Sequence, residues 1–346
     1  MILTVKKNFL WFLLLSIPLA LLVGNRGGTN DTFSYFSVFK NIDNYDLMSF
    51  SVFYSQTGVE IGWGWYSKLI SLFSSSSIVL FTIYSFFIFF ILYKVSENIK
   101  IKFIYIMFFY LPTGFFFMQQ FMQIRQALAV PLVIYAAVLF LNNNKKSSFF
   151  FFFLAVMFHQ ISIAFILFFI LYVFINKNYP LGFSLKRFFI FNVLTIVLVF
   201  FVSRVILLPM ATVFFDRLFA YSNTEYAENV GFFSLVNIKI YIEFLLILFF
   251  TNTKALSNKY YVFFVLCFTV GLALRLAFFD FAILSGRLSN AFLFVEIFLI
   301  PMLILFRFKI FYFYIYAFFY FCLLLYVTWF FQASEYLKDA YFNPLI

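Results

Sequence analysis

The sequence predicts an all-α, polytopic integral membrane protein, and three observations carry that expectation. Hydrophobic residues make up 65% of the 346 and charged residues 11%, against roughly 45–50% and 25% in a soluble domain. Mean hydropathy is +1.03. Runs such as FFFFFLAVMF (149–158) lack the period-two alternation of a transmembrane barrel, which leaves helices as the way to satisfy backbone groups in lipid. At roughly 20 residues per span, the chain holds about ten to eleven transmembrane segments, read here as one membrane domain, 1–346, with an extracytoplasmic cavity.

In chain order, candidate spans cover 8–24, 76–93, 102–118, 121–141, 187–208, 234–251, 259–279, 287–306 and 309–331, with a long apolar run over 148–175. Two lysines precede the first span and no small-residue cleavage site follows it, so it is read as a retained anchor. If Lys6 and Lys7 are cytoplasmic, Lys94, Lys100, Lys102, Lys145 and Lys146 fall on the same side, as the positive-inside rule prefers. A single crossing over 148–175 would then export Lys177, Lys186 and Arg187. Two short helices meeting near FHQIS keep them inside, so a broken pair is expected, with His159 at its outer turn. The later loops then alternate, and residues 25–60 and 209–233 form the main extracytoplasmic loops.

On this topology the inner face carries mostly lysine, whereas the outer half takes Arg26, Arg125, Arg204, Arg217, Arg275 and Arg287, along with most of the acids. Outward arginines need a reason, because lysine would serve solubility equally well. A guanidinium binds phosphate through a planar two-toothed fork that an ammonium lacks. The competing explanation for each arginine is pairing with a neighbouring acid or snorkelling to headgroups. Arg125 opens a span beside Gln119, Gln123 and Gln126. At 100° per residue these glutamines share one face of a continuous helix, and such a stripe faces a cavity or a partner helix. His159 is the chain's one histidine. It serves either as a buried structural residue or as a proton acceptor or donor, since imidazole titrates near neutrality.

Two outer segments add carboxylates. GNRGGTNDTFSYF (24–36) sets Arg26 and Asp31 in flexible backbone, and GVEIGWGWYSKLI (58–70) sets Glu60 beside Trp63 and Trp65. Asp31, Glu60 and His159 are the catalytic candidates. The six outer arginines and Gln126 are the substrate-binding ones. With one histidine and scattered acids no metal-ligand spacing arises, and no cofactor is expected. Cys267 and Cys322 lie in apolar runs and give no disulfide framework. The 64 phenylalanines spread through every span and read as apolar filler. The formal charge of +11 is explained by topology, so no nucleic-acid partner is implied.

Taken in order, NRGGTNDTFSYF, GVEIGWGWYSKLI, QIRQALAVPLVIYAA, FHQISIAFIL and SGRLSNAFLFVEIFLIP resemble the EpsG-like and Wzy-type family of polysaccharide repeat-unit polymerases. The most specific pieces are Arg125 with Ala127 and Ala129, His159 with Ser162, and Arg287. The resemblance implies a metal-independent membrane glycosyltransferase facing the periplasm from the bacterial inner membrane, making O-antigen, lipopolysaccharide or capsule polymers. Its substrate would be an undecaprenyl-pyrophosphate-linked oligosaccharide, with membrane lipids around it, and a chain-length regulator is admitted as a further partner. Where a typical member has a bulkier outer loop, this chain has only about 209–233, which leaves the sugar specificity open; the alternative readings are a flippase of lipid-linked glycans, an O-antigen ligase and a membrane acyltransferase. The flippase reading would favour internal repeats, which the sequence lacks.

Overall fold

The computed structural model describes residues 2–178, 184–207 and 231–332. Among these there are helices and no strand. Among the described residues, seven helices are long and apolar enough to cross a membrane: Lys7–Gly24, Ser77–Ile99, Ile124–Leu141, Leu185–Ile206, Lys259–Ala277, Ser285–Arg307 and Ile310–Phe330. The chain is therefore a multi-pass membrane protein. It divides into two compact units, Met1–Phe169 with Tyr314–Ile346, and Ile170–Phe313.

In the first unit, α1 (Ile2–Gly24) packs along α5 (Ser77–Ile99), which also packs against α7 (Ile124–Leu141), and α7 against α8 (Lys145–Phe158). The core position of α7 follows from its composition. Ala127, Ala129, Ala136 and Ala137 are at most 1% exposed, and small residues let helix backbones approach without aqueous hydrophobic drive. Between α1 and α5 lie α2 (Asn30–Lys40), α3 (Phe50–Thr57) and α4 (Ile61–Ser71), so the segment expected as an outer loop over 25–60 is largely helical. Thr29 caps α2, and Gly58 ends α3 at φ 70°, a left-handed backbone that a side chain would strain.

The span expected over 102–118 is not one helix. A short α6 (Phe103–Tyr110) ends before Pro112 and Gly114, a π-helical turn covers Phe115–Gln119, and α7 starts afresh at Ile124. The glutamine stripe assumed a continuous helix here, so its 100° wheel does not hold across Gln119, Gln123 and Gln126. Proline and glycine together end α6.

The apolar run 148–175 breaks where the lysine pattern placed the break. Helix α8 ends at Phe158, His159 is extended (φ −160°, ψ 127°), and α9 (Ile161–Asn178) begins two residues later. The chain reverses there. Phe169 of α9 lies 5.4 Å, centroid to centroid, from Phe152 of α8 and 5.4 Å from Phe140 of α7. A continuous helix would separate residues 152 and 169 by about 25 Å. With 14 residues, α8 rises only about 21 Å, less than the roughly 30 Å hydrocarbon core, so its His159 end is recessed if Lys145 stands at an interface.

In the second unit, α10 (Leu185–Val202) and α11 (Leu235–Phe250) flank the buried α12 (Lys259–Ala277). The span Ser285–Arg307 bends at Phe294–Val295, between α13 (Ala282–Leu293) and α14 (Glu296–Arg307). A hydroxyl–amide bond ties α10 to α12, Thr269 Oγ1 donating to Asn192 Oδ1 at 2.6 Å. The reversal at His159 predicts that topology reporters fused at Asn143 and after Asn178 report the same side of the membrane and one at Gln160 the other. Opposite signals from the first two would mean a single crossing.

Candidate functional site

The charged cluster of the first unit is built on the fresh start of α7. Breaking the helix at Met122 and Gln123 leaves carbonyls that lipid cannot satisfy. The α1–α2 junction satisfies them. Arg26, 4% exposed, donates Nη1 to Gln120 O at 2.7 Å and Nε to Val23 O at 3.1 Å, and its Cζ stands 4.1 Å from the Phe81 ring centroid. Thr32 Oγ1 donates to Phe121 O at 3.1 Å, with Thr29 Oγ1 3.4 Å from the same oxygen. This places Arg26 under the break, spending donors on backbone.

The break turns Gln123 and Ile124 so that Arg125 stands in the first turn of α7, where the helix dipole disfavours a cation. Two partners hold it. Arg125 Nη1 forms a short ion pair with Glu60 Oε2, and Arg125 Nε donates to the Tyr35 hydroxyl at 3.2 Å. The side chains of Arg125 and Glu60 are only 16% and 12% exposed, which strengthens the pair relative to a surface one. Nη2 of Arg125 has no partner among the described residues. Tyr35 is itself fixed: the buried Trp63 donates its indole N–H to Tyr35 O at 3.3 Å.

Glu60 reaches the same place from the start of α4. Its Oε1 accepts the Gln160 N–H at 3.3 Å and lies 4.0 Å from His159 Nδ1. Because α8 ends at Phe158, the Gln160 amide is released from helix pairing and turned towards the carboxylate. His159 Nδ1 accepts the Ile161 N–H at 3.1 Å, an arrangement that puts the neutral ring's proton on Nε2. Close approach of α4 to α8 makes this possible. A Cβ on Gly62 would stand 2.6 Å from the Met157 carbonyl oxygen.

Of the sequence-derived candidates, the first unit thus joins Arg125, Glu60 and His159 directly. Asp31 lies in the first turn of α2, four residues before Tyr35 and on the same helical face, and Gln126 is buried on α7. The second unit holds three further arginines. Arg204 pairs both carboxylate oxygens of Asp280 at 2.6 Å and also reaches Ala277 O at 3.1 Å. Arg275, 6% exposed, donates Nε to Asn237 Oδ1 at 2.8 Å and Nη1 to Ser285 O at 3.2 Å. Arg287 is exposed on α13. Arg217 lies outside the described residues. Tyr35 and Gln160 escaped the sequence reading, as did a buried group in which Lys239 Nζ meets Glu296 Oε1 at 2.6 Å and Glu243 Oε1 at 3.5 Å. The signal for that last group was present: Lys239 and Glu243 sit four apart inside an apolar span. Among the described residues, no three of His, Cys, Asp or Glu converge as a metal would require.

The sequence profile of the EpsG family matches residues 9–341. The chain belongs to the EpsG family. This is a Wzy-type, polysaccharide-polymerase-like family, and the match runs through both units. No curated protein and no solved structure matches the chain.

Two outcomes are expected. Gly62→Ala forces α4 from α8 at the Glu60 end, costing about 1–3 kcal/mol by overpacking; the detergent-solubilised protein is expected to melt a few degrees lower, and an unchanged melting temperature would contradict the close approach. In the second unit, Arg204's hydrogen bonds hold the Asp280 carboxyl below the usual carboxylate range. A depressed folded value gives stability that is present above the unfolded pKa of about 3.9 and lost as pH falls through the folded value. Both side chains are about a third exposed, so Arg204→Gln should cost about 1 kcal/mol or less at pH 7. That small difference from wild type should shrink in acid; a difference that grows in acid would contradict the pairing.

Proposed function

We propose that this protein is a polysaccharide polymerase that joins undecaprenyl-pyrophosphate-linked oligosaccharide repeat units at the outer face of a bacterial inner membrane. The observation that carries the proposal is Arg125. Its Nε and Nη1 are anchored by Tyr35 and Glu60, its Nη2 has no hydrogen-bond partner among the described residues, and the His159 imidazole stands 4.0 Å from the Glu60 carboxylate that holds it, in a chain whose family is polymerase-like.

In the reaction, a hydroxyl of the acceptor sugar attacks the anomeric carbon of the donor glycan. The bond from that carbon to the pyrophosphate oxygen breaks, and its electron pair leaves with the pyrophosphate. Arg125 meets the charge that develops on the leaving group. Because two of its nitrogens are already held, the guanidinium needs no reorganisation at that moment, which is the condition under which a fixed cation lowers a barrier most. The acceptor's proton passes to the His159–Glu60 pair: Nδ1, the basic nitrogen and the one nearer Glu60, gives up the Ile161 amide to take it, and Glu60 is counter-ion to the imidazolium. Asp31 belongs to the same proposal as a further catalytic candidate, and Gln126 and the remaining outer arginines, Arg26, Arg204, Arg217, Arg275 and Arg287, as candidates for substrate binding.

The test is polymer length distribution in cells, at matched protein levels, supported by an assay with purified lipid-linked repeat unit. Arg125→Lys keeps the charge but cannot engage Tyr35, Glu60 and a phosphate together, so polymer should fall about a hundred- to a thousandfold. His159→Gln keeps a hydrogen-bond donor; if the imidazole takes a proton, this variant is as defective as His159→Ala. Activity should survive EDTA. Near-normal polymer from Arg125→Lys would reduce Arg125 to a packing residue, and metal-restored loss in EDTA would remove the arginine-only account.

A further inference from the structure

We infer that Gln119 and Gln123 form a hydrogen-bonding subsite for sugar hydroxyls, beside the charged site and distinct in chemistry from it. The inference rests on the polymerase reading and specifies what part of the substrate meets the helix break. Gln119 is 0% exposed, and neither its amide oxygen nor its amide nitrogen has a hydrogen-bond partner among the described residues. Gln123 Oε1 is in the same condition. Burying an amide without partners is costly, and native proteins seldom leave both of its ends unmet.

The neighbouring Gln120 supplies the contrast. It is equally buried, yet it accepts from Ser85 Oγ at 2.9 Å and donates to Tyr110 Oη at 3.1 Å. Gln120 is the structural glutamine of the break. Gln119, adjacent in sequence, points to another side of the π-helical turn and has no such role. Gln119 closes the π-helical turn and Gln123 stands in the break just before α7, so the two amides flank the interruption in the chain. Gln123 is held to the turn by its backbone, since the Met118 carbonyl, next to Gln119 in the chain, accepts from both Met122 N and Gln123 N at 3.0 Å. The wide turn, which forms where the chain leaves regular α-geometry, ends at Gln119, and Gln123 follows in the break two residues ahead of Arg125.

The ligand class follows from the groups. An amide offers one acceptor and one donor end, with no charge. This matches a hydroxyl, which gives and accepts, better than it matches a phosphate, which only accepts and which Arg125 suits. Neutral sugar rings beside the pyrophosphate supply such hydroxyls.

Gln119→Leu is close in volume and removes both orphan atoms. Two probes separate the readings: lipid-linked oligosaccharide extracted from cells lacking this protein, and sugar-free polyprenyl pyrophosphate, each titrated against purified protein by thermal shift. The expected result is that Gln119→Leu melts at or above the wild-type temperature, binds polyprenyl pyrophosphate as wild type does, and binds the glycan-bearing lipid at least about tenfold more weakly. Equal binding of the glycan-bearing lipid by both proteins overturns the subsite alone. Failure of wild type to bind either probe sinks the polymerase reading and the subsite with it. A large drop in the melting temperature of Gln119→Leu would mean the protein itself holds the amide and would also overturn the subsite; Gln123→Leu is expected to behave as Gln119→Leu does and repeats each arm.

Discussion

The site depends on a broken helix whose carbonyls are paid for by side chains from another part of the chain. Non-helical backbone survives at membrane depth only where protein groups satisfy it. Here Arg26 and two threonines of the α1–α2 junction take up the carbonyls of Gln120 and Phe121. Without them the break at 122–123 would be driven back towards regular helix, since the carbonyls of Gln120 and Phe121 would go unmet. Arg125 would then sit inside a span instead of at its start, and the Glu60 and Tyr35 contacts would be lost. The same junction starts α2, which carries Tyr35, so a single stretch of thirteen residues both props the break and delivers a partner to the arginine.

A second break complements the first. At His159 the helix also stops, and the released Gln160 amide turns to Glu60. Two chain interruptions thus meet at one carboxylate, which orients a guanidinium on one side and faces an imidazole on the other. Regular helices alone would bury these groups against neighbours or leave them facing lipid; interruptions give polar backbone and charged side chains a shared direction. The costs are local and met by fixed partners, which makes the arrangement rigid before any substrate arrives.

How much of this was legible follows the same physics. The helical, multi-pass class was legible in the hydropathy, because composition and the absence of alternation exclude other solutions. The break at His159 was legible for a different reason: lysines on both flanks of 148–175 demand a return to one side, and charge asymmetry is read directly from sequence. The break after Tyr110 was not, although Pro112 and Gly114 marked it, since the run 102–118 is apolar throughout and hydropathy does not register backbone hydrogen bonding. Arg125, Glu60 and His159 were each chosen singly, from residue type and expected side. Their convergence required knowing that α4 and α8 touch through Gly62, a contact between residues nearly a hundred positions apart. Tyr35 was missed because a tyrosine among 23, in a chain crowded with aromatics, carries no local signal.

The two families of arginine differ in what they leave available. In the second unit, Arg204 spends its fork on both oxygens of Asp280, and Arg275 spends two nitrogens on Asn237 and the Ser285 carbonyl. Arg26 spends its donors on carbonyls. Arg125 is anchored at Nε and Nη1 but keeps Nη2 clear of described partners, so it combines a fixed position with unspent donors. A guanidinium that is only exposed must lose side-chain entropy to grip an anion, and one that is fully paired must break contacts to do so. Partial satisfaction avoids both costs, and for that reason Arg125, rather than the more numerous paired arginines, is the cation on which the proposed chemistry turns.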